Sequence, residues 1–168
     1  LAMTSLAIDP PASTILWARL DRPGHDHCRL YRLQDGWRLA GSAIFFEANA
    51  CSLQYEVVTT SDWRTSRAAV SGQIGARAIA LRVQATRSGR WRVNGALQPQ
   101  LDGCTDLDLA FTPATNLIAI RRLALRVGAR ADAPAAYLAF PRLAFVVLPQ
   151  TYTRVSASED DFAAPPAN

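Results

Sequence analysis

The sequence predicts an all-β, single-domain protein: a mostly antiparallel, open, barrel-like sheet with little helix. Three observations carry that expectation. Apolar and polar residues alternate with period 2 along most of the chain. Glycine-bearing turn pairs interrupt the alternation at roughly 8–12-residue spacing, the rhythm of a meander, sandwich or barrel. No window sustains the 3.6-residue apolar stripe of an amphipathic helix.

The elements follow in order. Asp9-Pro10-Pro11-Ala12-Ser13 reads as an entry loop that ends an N-terminal extension over 1–13. Pro23-Gly24 and His25-Asp26-His27 read as a polar turn, with Cys28 opening the next strand. Beyond Asp35-Gly36, the residues Trp37, Leu39, Gly41, Ala43 and Phe45 share one face, with Arg38 and Ser42 on the other. Cys51, Leu53, Tyr55 and Val57 alternate with Ser52, Gln54 and Glu56, and Ala68, Val70, Gly72 and Ile74 alternate with Arg67, Ser71 and Gln73. Ile79, Leu81, Val83 and Ala85 form another inward row, and Trp91 and Val93 sit between Arg90, Arg92 and Asn94. Each pattern is that of a half-buried strand. Ser88-Gly89, Asn94-Gly95 and Asp102-Gly103 supply the positive φ that tight turns need. Short helical turns are expected only near 61–64 and 132–136. The β domain spans 14–155, and 156–168, acidic and then rich in Ala and Pro, reads as a flexible tail.

Composition narrows the function classes. An apolar content of 49% is ample for one core, and 19% charged residues is too few for a disordered chain. All 18 basic residues other than the two histidines are arginine, a bias expected of a GC-rich bacterial gene. The net charge is +4, but the arginines are scattered. No basic stripe interleaved with aromatics argues for nucleic acid. Three cysteines without regular spacing suit reduced thiols rather than a disulfide framework. The first residues lack a basic segment followed by an apolar one, so neither a signal peptide nor a membrane anchor is expected, and the location expected is cytoplasmic.

The most informative stretch is Asp102 to Leu123. It opens with a turn and continues as a strand in which Asp102, Cys104, Asp106 and Asp108 share one face and Leu107, Leu109 and Phe111 the other. It turns again at Thr112-Pro113 and reads on, past Asn116, as an apolar strand with Arg121 and Arg122 in its middle. Charges inside core-like strands must be paired, solvated or in contact with a ligand.

Together with Trp17–His25, Asp35–Gly41, Trp63-Arg64-Thr65 and Gly89–Gly95, that run resembles a bacterial family described as putative glycolipid-binding proteins, in register from about Trp17 to Arg154. The resemblance implies a spiral β-roll and a lipid or glycolipid ligand; it implies no catalytic residues. Family members continue with further strands where this chain becomes Ala163-Ala164-Pro165-Pro166, so the roll is expected to be open at that edge, and an unpaired edge would encourage a homodimer.

The candidate ligand-binding residues are Asp102, Asp106, Asp108, Thr112, Asn116, Arg121, Arg122, Trp37 and Trp63. Asp106 and Asp108 are acceptors for sugar hydroxyls or, less aptly, ligands of a hard cation, against the plainer reading of an outward acidic face paired with arginines. Leu117, Ala119, Leu123, Leu125 and Val127 share the parity of Arg121, which would bury its guanidinium in a strand. There it would either pair with Asp106 or Asp108 or face an anionic headgroup, and Arg121→Ala would lower stability markedly. The four tryptophans either line a pocket or anchor the core. His25 and His27 have no second ligand cluster, so no metal and no cofactor are expected.

Three functions remain open. The first is a non-catalytic binder that takes an acyl chain in a hollow apolar interior and meets the headgroup with the 102–122 run. The second is a small hydrolase of a glycoconjugate or lipid acting through Asp106 and Asp108, which demands a polar cleft and a raised carboxylate pKa. The third is a structural or protein-interaction module with internally paired charges. No G-x-S-x-G elbow, P-loop or H-E-x-x-H motif is present.

Overall fold

The structure is a computed structural model and describes residues 10–164. The alternating segments become the strands of one antiparallel meander: β1 (Ser13–Ala18), β2 (Gly24–Leu33), β3 (Gly36–Glu47), β4 (Asn49–Thr60), β5 (Thr65–Ile74), β6 (Arg77–Ala85), β7 (Trp91–Val93) and β8 (Ala96–Leu97). They lie side by side in chain order, and the sheet does not close on itself. Direct hairpins join them, because period-2 strands with tight turns need no crossover. At the β7–β8 turn Asn94 and Gly95 both take positive φ, 47° and 85°, as a two-residue turn of this hand requires.

The rest of the chain covers one face of this sheet. Strand β9 (Asp106–Leu109) pairs parallel with β11 (Ala135–Ala139), which pairs antiparallel with β12 (Ala144–Leu148). A third sheet has the order β10 (Arg130–Asp132), β13 (Thr151–Arg154), β14 (Asp160–Ala163). The tail segment of the sequence reading thus includes a strand paired to β13. Between β9 and β10 lies one α-helix, α1 (Asn116–Leu123).

Three expectations are corrected. Residues 116–123 form α1 and not an apolar strand. Two turns are too short to show a helical stripe, and Leu, Ile and Ala fit either period. Residues 132–136 form no helical turn: Asp132 ends β10, and Ala135 and Ala136 open β11. His25-Asp26-His27 is not a turn but lies within β2.

The sequence left open whether the interior is hollow, as the first function requires, or packed; a packed cluster lies there. Leu39, Leu53, Val57, Val70, Val83 and Trp91 of the large sheet pack in one cluster with Leu107, Leu109, Ile118 and Leu138 from β9, α1 and β11. Trp91 is fully enclosed, and its indole Nε1 donates to the Cys104 carbonyl at 3.0 Å. Cys28, Cys51 and Cys104 are all buried and free. No helix among the described residues is long and apolar enough to cross a membrane.

Removing the Trp91 side chain leaves both a cavity and an unpaired carbonyl. Trp91→Ala is therefore expected to lower unfolding stability by about 3–5 kcal/mol, read as a shift of the urea midpoint.

Candidate functional site

In β2 the side chains alternate, so Asp26 and Cys28 point inward while His25 and Arg29 stay exposed. Asp26 is only 3% exposed, a carboxylate on the inner face of the large sheet. Its support comes from two other elements. Tyr55 of β4 donates to both Asp26 oxygens at 3.1 and 3.3 Å. Tyr55 reaches across β3 because its cross-strand partner is Gly41. A Cβ there would sit 2.3 Å from the ring and its hydroxyl, so only glycine leaves room. Thr112 also donates to Asp26, and its Oγ1 lies 3.1 Å from the Tyr55 hydroxyl. The same oxygen accepts from the Ala114 amide at 3.1 Å, which ties it to the start of the 113–115 turn.

Asp108 stands on β9, opposite Tyr137 of β11, with its side chain on the face away from Leu107 and Leu109. It accepts from Gln150 and, at 3.3 Å, from Thr115. Both carboxyls are shifted toward their neutral form. Burial pushes Asp108 up to about 6, although the Gln150 and Thr115 hydrogen bonds oppose the shift. Burial likewise raises Asp26 above the ordinary carboxylate range, against the Thr112 and Tyr55 hydrogen bonds.

These two carboxylates line one cleft of about 510 Å³, together with Trp17, Thr112, Asn116 and Tyr137. Arg19 and Asp21, joined by an ion pair at 3.1 Å, form part of its wall. A second, more apolar trough of about 330 Å³ lies between β1–β2 and α1. Ile15, Leu30, Leu39, Leu117 and Ile120 line it. The two adjoin, because Trp17, Pro113 and Asn116 line both. Among the described residues no group of three or more His, Cys, Asp or Glu side chains gathers as a metal site.

The model of the family described as putative glycolipid-binding matches residues 14–165. The chain belongs to this family. A crystal structure of a DUF1089 family protein from Pseudomonas aeruginosa is similar in fold, with a TM-score of 0.73 and 26% identity over 99% of this chain and 85% of that one. Comparison with curated proteins returns no match.

Within this family member, the residues singled out from the sequence separate. Asp108, Thr112 and Asn116 meet at the carboxylate cleft. Asp106 does not line it. The acidic face expected to point outward is covered instead, with Asp106 2% exposed beneath α1. Arg122 clamps it with two parallel bonds, Nε to Oδ1 at 2.7 Å and Nη2 to Oδ2 at 2.6 Å. That pair takes Asp106 out of any joint acid–base role with Asp108. Arg121, expected to be buried, is exposed, because one step along a helix turns a side chain by about 100°. The trough lies on that side, and Arg121 is part of its wall. Asp102 is exposed in its turn, away from both spaces. Trp37 and Trp63 stack on each other at 5.0 Å elsewhere on the sheet, so the cleft tryptophan is Trp17.

Sequence reasoning missed Asp26, Tyr55 and Gln150. One signal pointed to Asp26: it precedes Cys28 by two, so a Cys28 thiol in the core places Asp26 on the same inward face. Nothing local pointed to Gln150, which meets Asp108 from 42 residues away.

Breaking the Asp106–Arg122 pair strands a buried charge. Arg122→Ala is expected to lower stability by about 3–5 kcal/mol, whereas Arg121→Ala should stay within about 0.5 kcal/mol, both read by denaturant melts. The Asp108 shift has a definite sign. A carboxyl raised from 3.8 to about 6 favours folding fully only below pH 4, and that contribution is lost as pH rises through 6. Relative to the wild type, Asp108→Asn should therefore gain stability between pH 4 and pH 7, by about 2 kcal/mol in paired melts at the two values.

Proposed function

We propose that this protein binds a glycolipid without catalysis, holding sugar hydroxyls in the carboxylate cleft and an acyl chain in the adjoining trough. The observation that carries this reading is the contact between the two spaces. A cleft whose lining includes Asp26 and Asp108 shares Trp17, Pro113 and Asn116 with a more apolar trough.

The chemistry suits each half. A carboxylate has about four acceptor sites, and the internal donors to Asp26 and Asp108 leave some of them for sugar hydroxyls. Trp17 offers an apolar ring at the junction, where a sugar face and the first methylenes would lie. A twelve-carbon chain gains about 10 kcal/mol gross at roughly 0.8 kcal/mol per methylene. Association costs of about 4–15 kcal/mol offset much of that, so the expected affinity is modest. The packed interior confines the chain to the trough rather than the core of the roll.

A hydrolytic reading draws on one observation: Asp108, raised to about 6, shares its cleft with a second buried carboxyl, Asp26. Environments that push carboxyls toward neutrality are what general acid catalysis of glycoside cleavage requires.

One experiment separates the two readings. Dodecyl β-D-glucoside, titrated below its micelle concentration, should bind one to one in calorimetry, and Asp26→Asn should weaken it about tenfold. The probe should be recovered intact after prolonged incubation. No saturable binding would end the glycolipid reading, and glucose release lost in Asp108→Asn would replace it with hydrolysis.

A further inference from the structure

Helix α1 separates its tasks by face. Ile118 and Ala119 are buried, and Arg122 reaches Asp106. Leu117, Ile120 and Arg121, spaced i, i+3 and i+4, turn together to the trough. Asn116, where the trough meets the carboxylate cleft, opens the helix, and Arg121 lies in its last turn. The helical rise separates them by about 7–8 Å along the axis. The sequence of environments along α1 is thus acidic and polar, then apolar, then cationic.

Arg121 is the cation available at that end. Among the described residues it has no hydrogen-bond or ion-pair partner, while Arg122 is taken by Asp106 and Arg154 by Asp160 at 2.5 Å. Leu117, Ile120 and Arg121 also line the next cleft, where they face the Arg154–Asp160 pair. A basic residue in the last turn favours the helix dipole, which accounts for a charge here but not for its place on the trough wall.

We propose that the trough takes an acyl chain ending in a free carboxylate, which binds the Arg121 guanidinium. The ligand class is an acidic amphiphile, a glycolipid with a carboxylic acid at the end of its chain away from the sugar. This deepens the glycolipid reading and rests on it for the sugar end alone. A guanidinium fork matches a planar carboxylate with two parallel bonds. A phosphomonoester, with its charge of about −1.5 to −2, would call for more than one available cation, and Arg154 is already neutralised.

The test uses the whole chain with two probes at pH 8 and low salt: dodecanoate, which has the chain and the acid, and dodecyl β-D-glucoside, which has the chain and the sugar. Dodecanoate should bind the wild type and weaken at least tenfold in Arg121→Gln, with partial retention in Arg121→Lys. Dodecyl glucoside, which carries no acid, should lose several-fold less affinity than dodecanoate in either variant, and thermal melts should match the wild type. Unchanged dodecanoate binding in Arg121→Gln, or an equal loss for both probes, would overturn the proposal. Binding of dodecyl glucoside without dodecanoate would overturn it and leave the glycolipid reading standing. Arg121-dependent binding of dodecanoate without the glucoside would support the acid site and remove the sugar reading. Failure of both probes ends both.

Discussion

The docking of α1 onto β9 governs the arrangement of both the cleft and the trough. Asp106 and Arg122 make that junction with two short parallel bonds in a largely desolvated setting. A buried carboxylate without its guanidinium would be costly, so the pair sets the helix rotation about its axis. With Arg122 turned down to Asp106, Ile118 enters the core and Leu117, Ile120 and Arg121 face the gap beside β1 and β2. The same junction holds the 112–116 segment, from which Thr112 reaches Asp26 and Thr115 reaches Asp108. The trough wall and the carboxylate supports thus follow from one ion pair.

The two cleft carboxylates are held in an environment that disfavours their charge. Burial dominates at Asp26 and Asp108 alike, and the hydrogen bonds from Tyr55, Thr112, Thr115 and Gln150 offset it only in part. Asp106 differs, since it has a full countercharge. Carboxyls left without a countercharge on a cavity wall cost stability, because burial disfavours their charged form. Structural burial alone would favour the arrangement at Asp106.

Much of the large sheet was legible in the sequence. The rows Leu39–Phe45, Cys51–Val57 and Ile79–Ala85 alternate because each strand is buried on one face only, and burial on one face imprints a period of two. Asn94-Gly95 was legible because few residues tolerate two successive positive φ values. Asp106 and Asp108 were correctly placed on one face of a strand, but the covering of that face was not legible. Helix α1 was unreadable for a related reason: Asn116–Leu123 spans too few residues for its period to differ from that of a strand, and tertiary contact with β9 decides its conformation.

From its sequence alone, this chain determined its all-β class, its order of hairpins, the family to which it belongs and the parity of its carboxylates. These are local or near-local properties, written in alternation, turn chemistry and motif spacing. The tertiary structure alone decided which arginine is paired and which faces the trough. It also decided that Asp26 and Asp108, 82 residues apart in their numbering, share a cleft, and that side chains of the large sheet pack against β9, α1 and β11. Those outcomes depend on how the second sheet and α1 close over the first, and no residue's own neighbours in sequence encode that contact.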